Sequence, residues 1–277
     1  MVKFMKRLLA LLALALLCTG CSAPADSSQD SNTRQTLKVG MECNYAPFNW
    51  TQVEDSDTAE PISEVDYCDG YDVVMAARIA KELDMDLQIV KTDWDNLIPA
   101  LNANDIDLII AGMTATPDRA EAVNFTNPYY ESQMVIVVRA NSDLTGITDI
   151  QQLAGYKVLG QLNTLYDEII DQIEGVNHLT PQESYPRMVL SLQSSEADAI
   201  TAEMPVAKGV VAANPDLAIV SFEEGHGFVA DTSVSVATRK SDTELLEKVQ
   251  AILNTITQDE RNTMMQEATN RQPANEE

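Results

Sequence analysis

Two stretches of the chain carry residue types that could bind a charged small molecule. Residues 42–50 contain a carboxylate and three aromatic side chains, which together can enclose a ligand and attract a cation. The alternative for this stretch is a hydrophobic plug beneath a loop. Residues 111–119 contain Thr114 and place Arg119 in the first turn of a helix that opens at Pro117. Free N–H groups and an arginine there suit an anion, either carboxylate or phosphate. The alternative is a helix cap with a surface arginine.

A third stretch, residues 160–165, precedes a predicted helix that starts near Tyr166. Thr164 stands at its N-cap, where free N–H groups could donate to the same anion. The chain contains neither a Walker pattern nor G-x-G-x-x-G, so nucleotide binding is unsupported. His178 and His226 lack metal-ligand spacing and are interpreted as surface or loop residues, while the acids of 54–60 lack a calcium-binding loop. We therefore expect no metal and no cofactor.

The elements that must position these stretches alternate between strands and helices. Strands are predicted at 37–41, 87–90, 106–111, 134–138, 157–159, 197–201, 217–220 and 234–237. Helices are predicted at 71–83, 97–101, 166–173, 187–192, 205–212 and 243–256, with an acidic, irregular loop at 52–66. Strands separated by helices imply α/β sheets covered on both faces. Ligands in such folds bind beyond the carboxyl ends of strands, which is where the three stretches lie.

The beginning of the chain has the pattern of an export signal. A basic start precedes a Leu- and Ala-rich run at 8–17 that is too short to span a bilayer. The Thr-Gly-Cys sequence that follows resembles a bacterial lipoprotein signal, in which Cys21 becomes the first residue and carries lipid, including palmitate. A plain secretory signal cut nearby is the alternative. We expect a signal peptide at 1–20 and a lipidated flexible tether at 21–36.

Charge and cysteine content narrow the class of protein. The chain has 18 Lys+Arg against 43 Asp+Glu, a net charge of −25, and losing the three basic residues of the signal makes it about −28. Such a charge excludes a nucleic-acid partner and electrostatic adhesion to anionic lipid, leaving the lipid anchor as the expected membrane contact. Two cysteines follow the anchor, Cys43 and Cys68. In an oxidising exterior they form either a disulfide or two buried free thiols.

Taken in order, the motifs resemble those of the family 3 extracellular solute-binding proteins, which deliver polar amino acids to ABC transporters. The motifs are 40–48, 70–73, 92–95, 112–119, 125–130, the 161–164 turn and 197–199. The resemblance covers about 37–266. It implies the type II periplasmic-binding-protein fold, with two mixed sheets flanked by helices and two hinge crossings. Lobe 1 would comprise 37–137 plus 230–277 and lobe 2 138–229, closing over an amino acid in the cleft.

The resemblance also implies roles for individual residues. The matched ligand-binding positions are Glu42, Tyr45, Trp94, Gly112, Met113, Thr114, Arg119, Gln161, Asn163, Thr164, Leu165 and Glu203. In the family, the residue matched by Arg119 binds the ligand's α-carboxylate, with Thr114 and the Thr164–Leu165 turn as further donors. Glu203 matches the acid that binds the α-ammonium, aided by the Gly112 carbonyl. Asn163 stands where glycine is usual and tolerates the left-handed conformation that this turn needs.

The remaining matched positions face the ligand's side chain. Glu42 has no cationic partner once Arg119 and Glu203 pair with the zwitterion, so a cationic amino acid is expected, held between Tyr45 and Trp94. Glutamine is the alternative, because relatives that bind it can carry an acid at this position and Gln161 suits either guest.

The implied function is therefore that of a lipid-anchored substrate-binding protein on the outer face of the cell membrane, extracellular or periplasmic. Its partners would be a free amino acid, an ABC permease and the cytoplasmic ATPase of that permease, and a monomer is expected. The same fold hosts exported dehydratases of cyclic carboxylic acids, which need a general acid or base beside the anion site, a part that Glu42 could take. A ligand-sensing module for a membrane receptor is a third interpretation. The amino-acid binder is preferred, and no catalytic residue is expected.

Overall fold

The computed structural model describes residues 34–273. The predicted signal peptide (1–20), the predicted lipidation site Cys21 and most of the predicted tether lie outside the described residues. None of the helices in the described part has the length and hydropathy needed to cross a membrane. The first strand already begins at Thr36, so the predicted tether (21–36) overlaps the folded body by one residue.

The described chain contains fourteen strands and eight α-helices. The strands are β1 (Thr36–Met41), β2 (Asn44–Tyr45), β3 (Asn49–Gln52), β4 (Glu60–Pro61), β5 (Tyr67–Asp69), β6 (Asp86–Lys91), β7 (Leu108–Ile109), β8 (Val123–Phe125), β9 (Met134–Arg139), β10 (Lys157–Leu159), β11 (Asn177–His178), β12 (Ala199–Glu203), β13 (Leu217–Val220) and β14 (Ala237–Arg239). The helices are α1 (Tyr71–Glu82), α2 (Leu97–Asn102), α3 (Pro117–Ala122), α4 (Leu165–Glu168), α5 (Tyr185–Gln193), α6 (Met204–Ala213), α7 (Thr243–Leu253) and α8 (Gln258–Arg271).

Two five-stranded mixed sheets organise these elements, as the predicted fold class requires. The first has the order β6-β1-β7-β14-β8 and the second the order β11-β10-β12-β9-β13. In the first sheet β1 pairs in parallel with β6 and β7, whereas β14 is antiparallel to both of its neighbours. In the second, β9 is antiparallel to β12 and β13. The chain passes to the second sheet between β8 and β9 and returns between β13 and β14, which makes two crossings.

The predicted boundary between lobes at 137/138 does not coincide with a break between strands. It falls inside β9, which pairs with β12 and β13 from Met134 to Arg139 and so belongs to the second sheet over its whole length. Its side chains from Met134 to Val138 are buried, because the strand is paired on both edges and covered on both faces. The first crossing therefore lies at residues 126–133. The second predicted boundary, 229/230, falls within the 221–236 connection.

A small antiparallel sheet replaces part of the predicted irregular loop at 52–66. Its order is β2-β3-β5-β4, and Thr51 in β3 pairs with Cys68 in β5. Strands of two to four residues leave no alternation to detect, which is why the sequence did not reveal them. A disulfide joins Cys68 to Cys43, with the Cα atoms 5.7 Å apart and both residues buried. Of the two alternatives that the sequence left open, the structure contains the disulfide.

Helix α1 packs closely against this sheet because of the residue that precedes it. Gly70 has φ 135°, and a Cβ atom there would collide with the carbonyl of Phe48. The helix then buries one face, which includes Val73, Ala76 and Ile79. The N–H of Asp72 donates to the Phe48 carbonyl over 2.8 Å. Residues 42–50 are thus held by a helix on one side and by the disulfide on the other.

The last part of the chain contains a helix that periodicity did not predict. The predicted helix 243–256 ends at Leu253, and α8 follows it. Thr257 and Glu260 form a capping box at the start of α8, a signal present in the sequence that could have located it. Only Met265 and Ala268 of α8 are buried, so its apolar pattern is weak. The predicted helix 166–173 is likewise shorter, because α4 ends at Glu168 and a 3₁₀ turn follows.

Candidate functional site

The three stretches meet at one small cavity. Its lining residues are Glu42, Tyr45, Trp94, Ala111, Gly112, Thr114, Arg119, Gln161, Thr164, Leu165 and Tyr166. Glu42 directly follows β1, Gly112 comes three residues after β7, and Gln161 comes two residues after β10. The cavity therefore lies beyond the carboxyl ends of strands from both sheets. Nine of the twelve predicted ligand-binding residues line it. Ala111 and Tyr166 line it without having been predicted.

Arg119 is the only cation among the described residues that line the cavity. It lies in the first turn of α3, whose N-cap Thr116 accepts a hydrogen bond from the Arg119 N–H over 3.3 Å. Its Nη1 donates to the carbonyl of Thr114 (3.0 Å), and its Nη2 donates to the carbonyl of Asn163 (3.2 Å). The Trp94 ring lies 4.9 Å from its Cζ, which is a cation–π contact. Burial lowers its pKa from the ordinary value of arginine.

Glu42 is the only carboxylate among the described lining residues, and it has few partners. Its side chain is buried, and its Oε1 accepts a hydrogen bond of 3.3 Å from Nε2 of Gln161. Burial raises its pKa to about 7; the Gln161 bond opposes this rise, and the charges of Asp93 and Asp95 add to it. A nearby cation would favour the ionised form of this buried carboxyl group, because the attraction between the two charges offsets the cost of desolvation.

Glu203, which is predicted to bind a ligand ammonium, is not among the residues that line the cavity. It ends β12, is fully buried, and accepts hydrogen bonds from the hydroxyls of Tyr45 (2.6 Å) and Tyr166 (3.0 Å). Both tyrosines line the cavity, so the carboxyl group lies one layer behind the wall. Burial raises its pKa to about 7 against the lowering effect of the tyrosine hydrogen bonds.

Asn163 and Met113 are the other predicted residues that do not line the cavity. Asn163 adopts the left-handed conformation, with φ 57°. Its carbonyl accepts from Nε1 of Trp94 (3.0 Å) as well as from Arg119, and its Nδ2 donates to Oδ1 of Asp95 (2.8 Å). Met113 is buried in the core, where its carbonyl accepts a hydrogen bond from the N–H of Ser235.

A buried layer behind the cavity fixes Gly112. The N–H of Gly112 donates to the hydroxyl of Tyr129 (3.0 Å), which donates to Asp72 (2.6 Å), and Asn49 donates to the same carboxyl group (2.8 Å). Gly112 has φ 60°, and a Cβ there would lie 3.2 Å from the Tyr45 ring. Asp72 and Tyr129 lie within the motifs 70–73 and 125–130, but their contacts could not be predicted from the sequence, because they are 57 positions apart.

His178 is more than an ordinary surface residue. Its Nε2 and Nδ1 lie 2.9 Å from Asp167 and 2.8 Å from Asp171. Asp167 belongs to α4, whose first residue lines the cavity, so this contact supports the turn before α4. Over residues 34–273, no three His, Cys, Asp or Glu side chains are grouped so as to hold a metal ion.

Hydrogen bonds across the cavity bring its two sides together. Gln161 and Asn163, which follow β10, bond to Glu42, Trp94, Asp95 and Arg119, which follow strands of the first sheet. The cavity volume is only ≈ 10 Å³, about the space of one water molecule. A guest larger than water therefore requires the two sides to separate and close again around it.

The chain is similar to known proteins over most of its length. The model of the bacterial extracellular solute-binding proteins, family 3, matches residues 37–268. A probable histidine-binding protein of Campylobacter jejuni is 35% identical over 215 residues, which cover 76% of this chain and 77% of that protein. The chain is thus similar to this relative over most of the length of both.

Solved structures share the same fold. An amino acid ABC transporter substrate-binding protein from Streptococcus pneumoniae, AbpA bound to L-arginine, matches with a TM-score of 0.74 and 28% identity, covering 85% of this chain and 94% of that one. An ancestral arginine-binding protein bound to glutamine matches with a TM-score of 0.71 and 29% identity, covering 84% and 97%.

Proposed function

This chain belongs to the bacterial extracellular solute-binding proteins of family 3, and on that premise we propose that it captures a polar, preferably cationic, L-amino acid for an ABC importer. The observation that carries the proposal is that one cavity is lined by both Arg119 and the carboxyl group of Glu42, which accepts one side-chain hydrogen bond, of 3.3 Å, from Gln161. An amino acid with a cationic side chain presents the complementary carboxylate and cation.

Arg119 is the proposed partner of the ligand α-carboxylate. Its guanidinium is held in place by the Thr114 carbonyl and by the Trp94 ring, so it is preorganised before a ligand arrives. The Thr164 N–H donates to the carbonyl of Gln161 (3.3 Å), and the N–H of Leu165, the first residue of α4, is the proposed donor to the carboxylate from the other side of the cavity. Each hydrogen bond to a charged group contributes about 1.5–3 kcal/mol.

The α-ammonium is proposed to lie near the Gly112 carbonyl, on the side of Tyr45 and Tyr166. Glu203 stabilises it from behind these tyrosines as a buried negative charge, since its own hydrogen bonds are to their hydroxyls. This contribution is electrostatic and weaker than a direct ion pair, because the two charges are separated by a layer of side chains.

Glu42 is the proposed partner of the ligand side chain. Burial disfavours its ionised form, and Asp93 and Asp95 add negative potential, so a cation is the guest that this end of the cavity favours. Two relatives support this preference, since one is a probable histidine-binding protein and another is a substrate-binding protein bound to L-arginine. The ancestral protein bound to glutamine keeps glutamine as the alternative guest.

The proposed setting is the outer face of the cell membrane. We propose that the signal at 1–20 directs export and that Cys21 carries a lipid with palmitate. The body would be a monomer of two lobes, joined by the crossings at 126–133 and 221–236. This arrangement would suit delivery of the amino acid to a permease and its ATPase. We propose binding without catalysis, because Glu42, the only carboxylate lining the described cavity, is hydrogen-bonded to the amide of Gln161, which is neither an acid nor a base. Turnover of prephenate or arogenate by the purified protein would overturn that choice.

Calorimetry of the purified mature protein against each of the twenty L-amino acids tests the proposal. We expect tight binding of arginine, lysine or histidine, with weaker binding of glutamine. Tight binding of glutamine with no response to the three cationic amino acids would contradict the proposed recognition of a cation by Glu42. It would still agree with binding of the α-carboxylate by Arg119. No response to any amino acid would remove both.

A further inference from the structure

One residue of the second-sheet side, Asn163, bonds to three residues across the cavity. Its carbonyl accepts from Trp94 and Arg119, and its side-chain Nδ2 donates to Asp95 over 2.8 Å. We propose that the Asn163 side chain and Asp95 form a closure latch, which holds the two sides together over a bound amino acid and slows its release. The proposal rests on the proposed function and adds a role for two side chains that line no part of the cavity.

The backbone conformation of Asn163 does not by itself require an asparagine side chain. Its φ of 57° lies in the left-handed region, where glycine is the least strained residue and asparagine is tolerated. Glycine would give the same turn and would keep both bonds to the carbonyl. The amide is therefore not needed to form the turn, and its one hydrogen bond in the structure is to Asp95.

The chemistry of the pair suits a latch in a site for a cation. A hydrogen bond from an amide to a carboxylate is stronger than one between neutral groups, yet it leaves the negative charge of Asp95 unneutralised. That charge acts on Glu42, close enough to contribute to the negative potential at the cavity. A lysine or arginine at position 163 would bind Asp95 more strongly but would oppose a cationic ligand. Asparagine closes the cavity without that conflict.

Four variants separate the latch from the turn that carries it. Asn163→Gly keeps the left-handed backbone and removes the amide, and Asp95→Ala removes the acceptor. The double variant tests whether the two act as one pair. Asp95→Asn retains an oxygen that can accept from Asn163. Asn104→Gly is the matched control, because Asn104 also has a left-handed backbone, with φ 65°, in the turn after α2.

The first measurement is the release of radiolabelled L-arginine after a chase with unlabelled L-arginine. We expect Asn163→Gly and Asp95→Ala each to release it about fivefold faster than the unchanged protein, as loss of one solvent-exposed hydrogen bond implies. The double variant should be no faster than either single variant, and Asp95→Asn, which keeps a weaker neutral hydrogen bond, should release L-arginine at a rate between those of the unchanged protein and Asp95→Ala. Equal release from Asn163→Gly and Asn104→Gly, or additive effects in the double variant, would overturn the latch.

A second measurement decides the matter without a ligand. Trp94 bonds to the Asn163 carbonyl, whereas Trp50, the other tryptophan, is 4% exposed, so acrylamide quenching of fluorescence reports mainly on Trp94. We expect stronger quenching in Asn163→Gly than in Asn104→Gly. If the unchanged protein retains no L-arginine, the proposed cationic ligand is wrong. The quenching of Asn163→Gly and Asn104→Gly still tests the latch in that case, and equal quenching in the two variants would overturn it.

Discussion

The two sides of the cavity hold their charged groups in different ways. On the first-sheet side, Arg119 and Glu42 line the cavity, and Glu42 has a single long hydrogen bond from a side chain. On the second-sheet side, Glu203 is fully buried behind the wall and is bound by two tyrosine hydroxyls. Burial raises the pKa of both glutamates to about 7. A shifted pKa therefore does not identify the acid that meets a ligand, whereas the position of the side chain in the cavity wall does.

This difference indicates a division of labour. The first side presents the charges that would recognise the ligand, while the second side contributes N–H donors and the Asn163 turn that closes the site. Altering one side at a time separates the two roles, and the largest effect is expected from the loss of Arg119.

Arg119→Ala should abolish detectable binding of every amino acid. It removes at least two hydrogen bonds to the proposed carboxylate, at about 1.5–3 kcal/mol each, which corresponds to a loss of roughly a hundredfold or more. Calorimetry against L-arginine measures the loss. Arg187→Ala is the matched control, since Arg187 is an exposed arginine of α5 that pairs with Glu183. Affinity equal to that of the control would show that the first side does not bind the carboxylate.

Glu42→Gln should weaken the binding of cationic amino acids by about tenfold to a hundredfold, because the ligand cation loses its charged acceptor. Binding of glutamine should change little, since the side-chain oxygen of the new glutamine can still accept a hydrogen bond from Gln161 or from the ligand amide. Dissociation constants for L-arginine and L-glutamine measure the change in preference. The exposed Glu244→Gln serves as the control. An equal loss for both ligands would assign Glu42 to the shape of the cavity and not to its charge.

Binding of L-arginine should weaken as the pH falls through about 7. In the ligand-free protein the pKa of Glu42 is raised to about 7, and a bound cation favours the carboxylate and lowers that pKa. Binding thus releases a proton below pH 7, and the affinity falls by up to about tenfold for each pH unit lost. Dissociation constants at pH 5, 6, 7 and 8 measure this slope. Glu42→Gln should reduce this dependence on pH more than Glu203→Gln does. A larger reduction in Glu203→Gln would mean that Glu203, and not Glu42, binds the cation.

Glu203→Gln should have the smallest effect on binding and a measurable one on stability. Its pKa is raised from 4.5 to about 7, so the folded protein holds a proton between these values that the unfolded chain has lost. The stability contributed by the protonated group is present below pH 4.5 and falls as the pH rises to 7. Glutamine never ionises, so this variant should melt about 2–4 °C higher than the unchanged protein at pH 8. Its advantage should vanish at pH 4.5, and an equal difference at both pH values would contradict the assignment.

Local patterns were sufficient for much of the fold. The strands β1, β6, β9, β10 and β13 and the helices α1, α5 and α6 lie within three residues of their predicted bounds, because each has a clear apolar run or stripe. Helix α8 and the small sheet of β2–β5 were missed, since α8 buries only two side chains and the strands are too short to alternate. The predicted lobe boundary falls within β9, because strand pairing, which the sequence does not reveal, decides which sheet a crossing segment joins.

The sequence by itself determined that three polar stretches follow strands of an α/β fold, the place where ligands bind in such folds. It also marked Arg119 and Glu42 as the charged residues there. Only the tertiary structure decided which acid reaches the cavity, since the Tyr45–Glu203 bond joins residues 158 positions apart. The same holds for the bond between Asn163 and Asp95, 68 positions apart. Local propensity acts over a few residues, whereas such contacts depend on how the two sheets bring distant turns together.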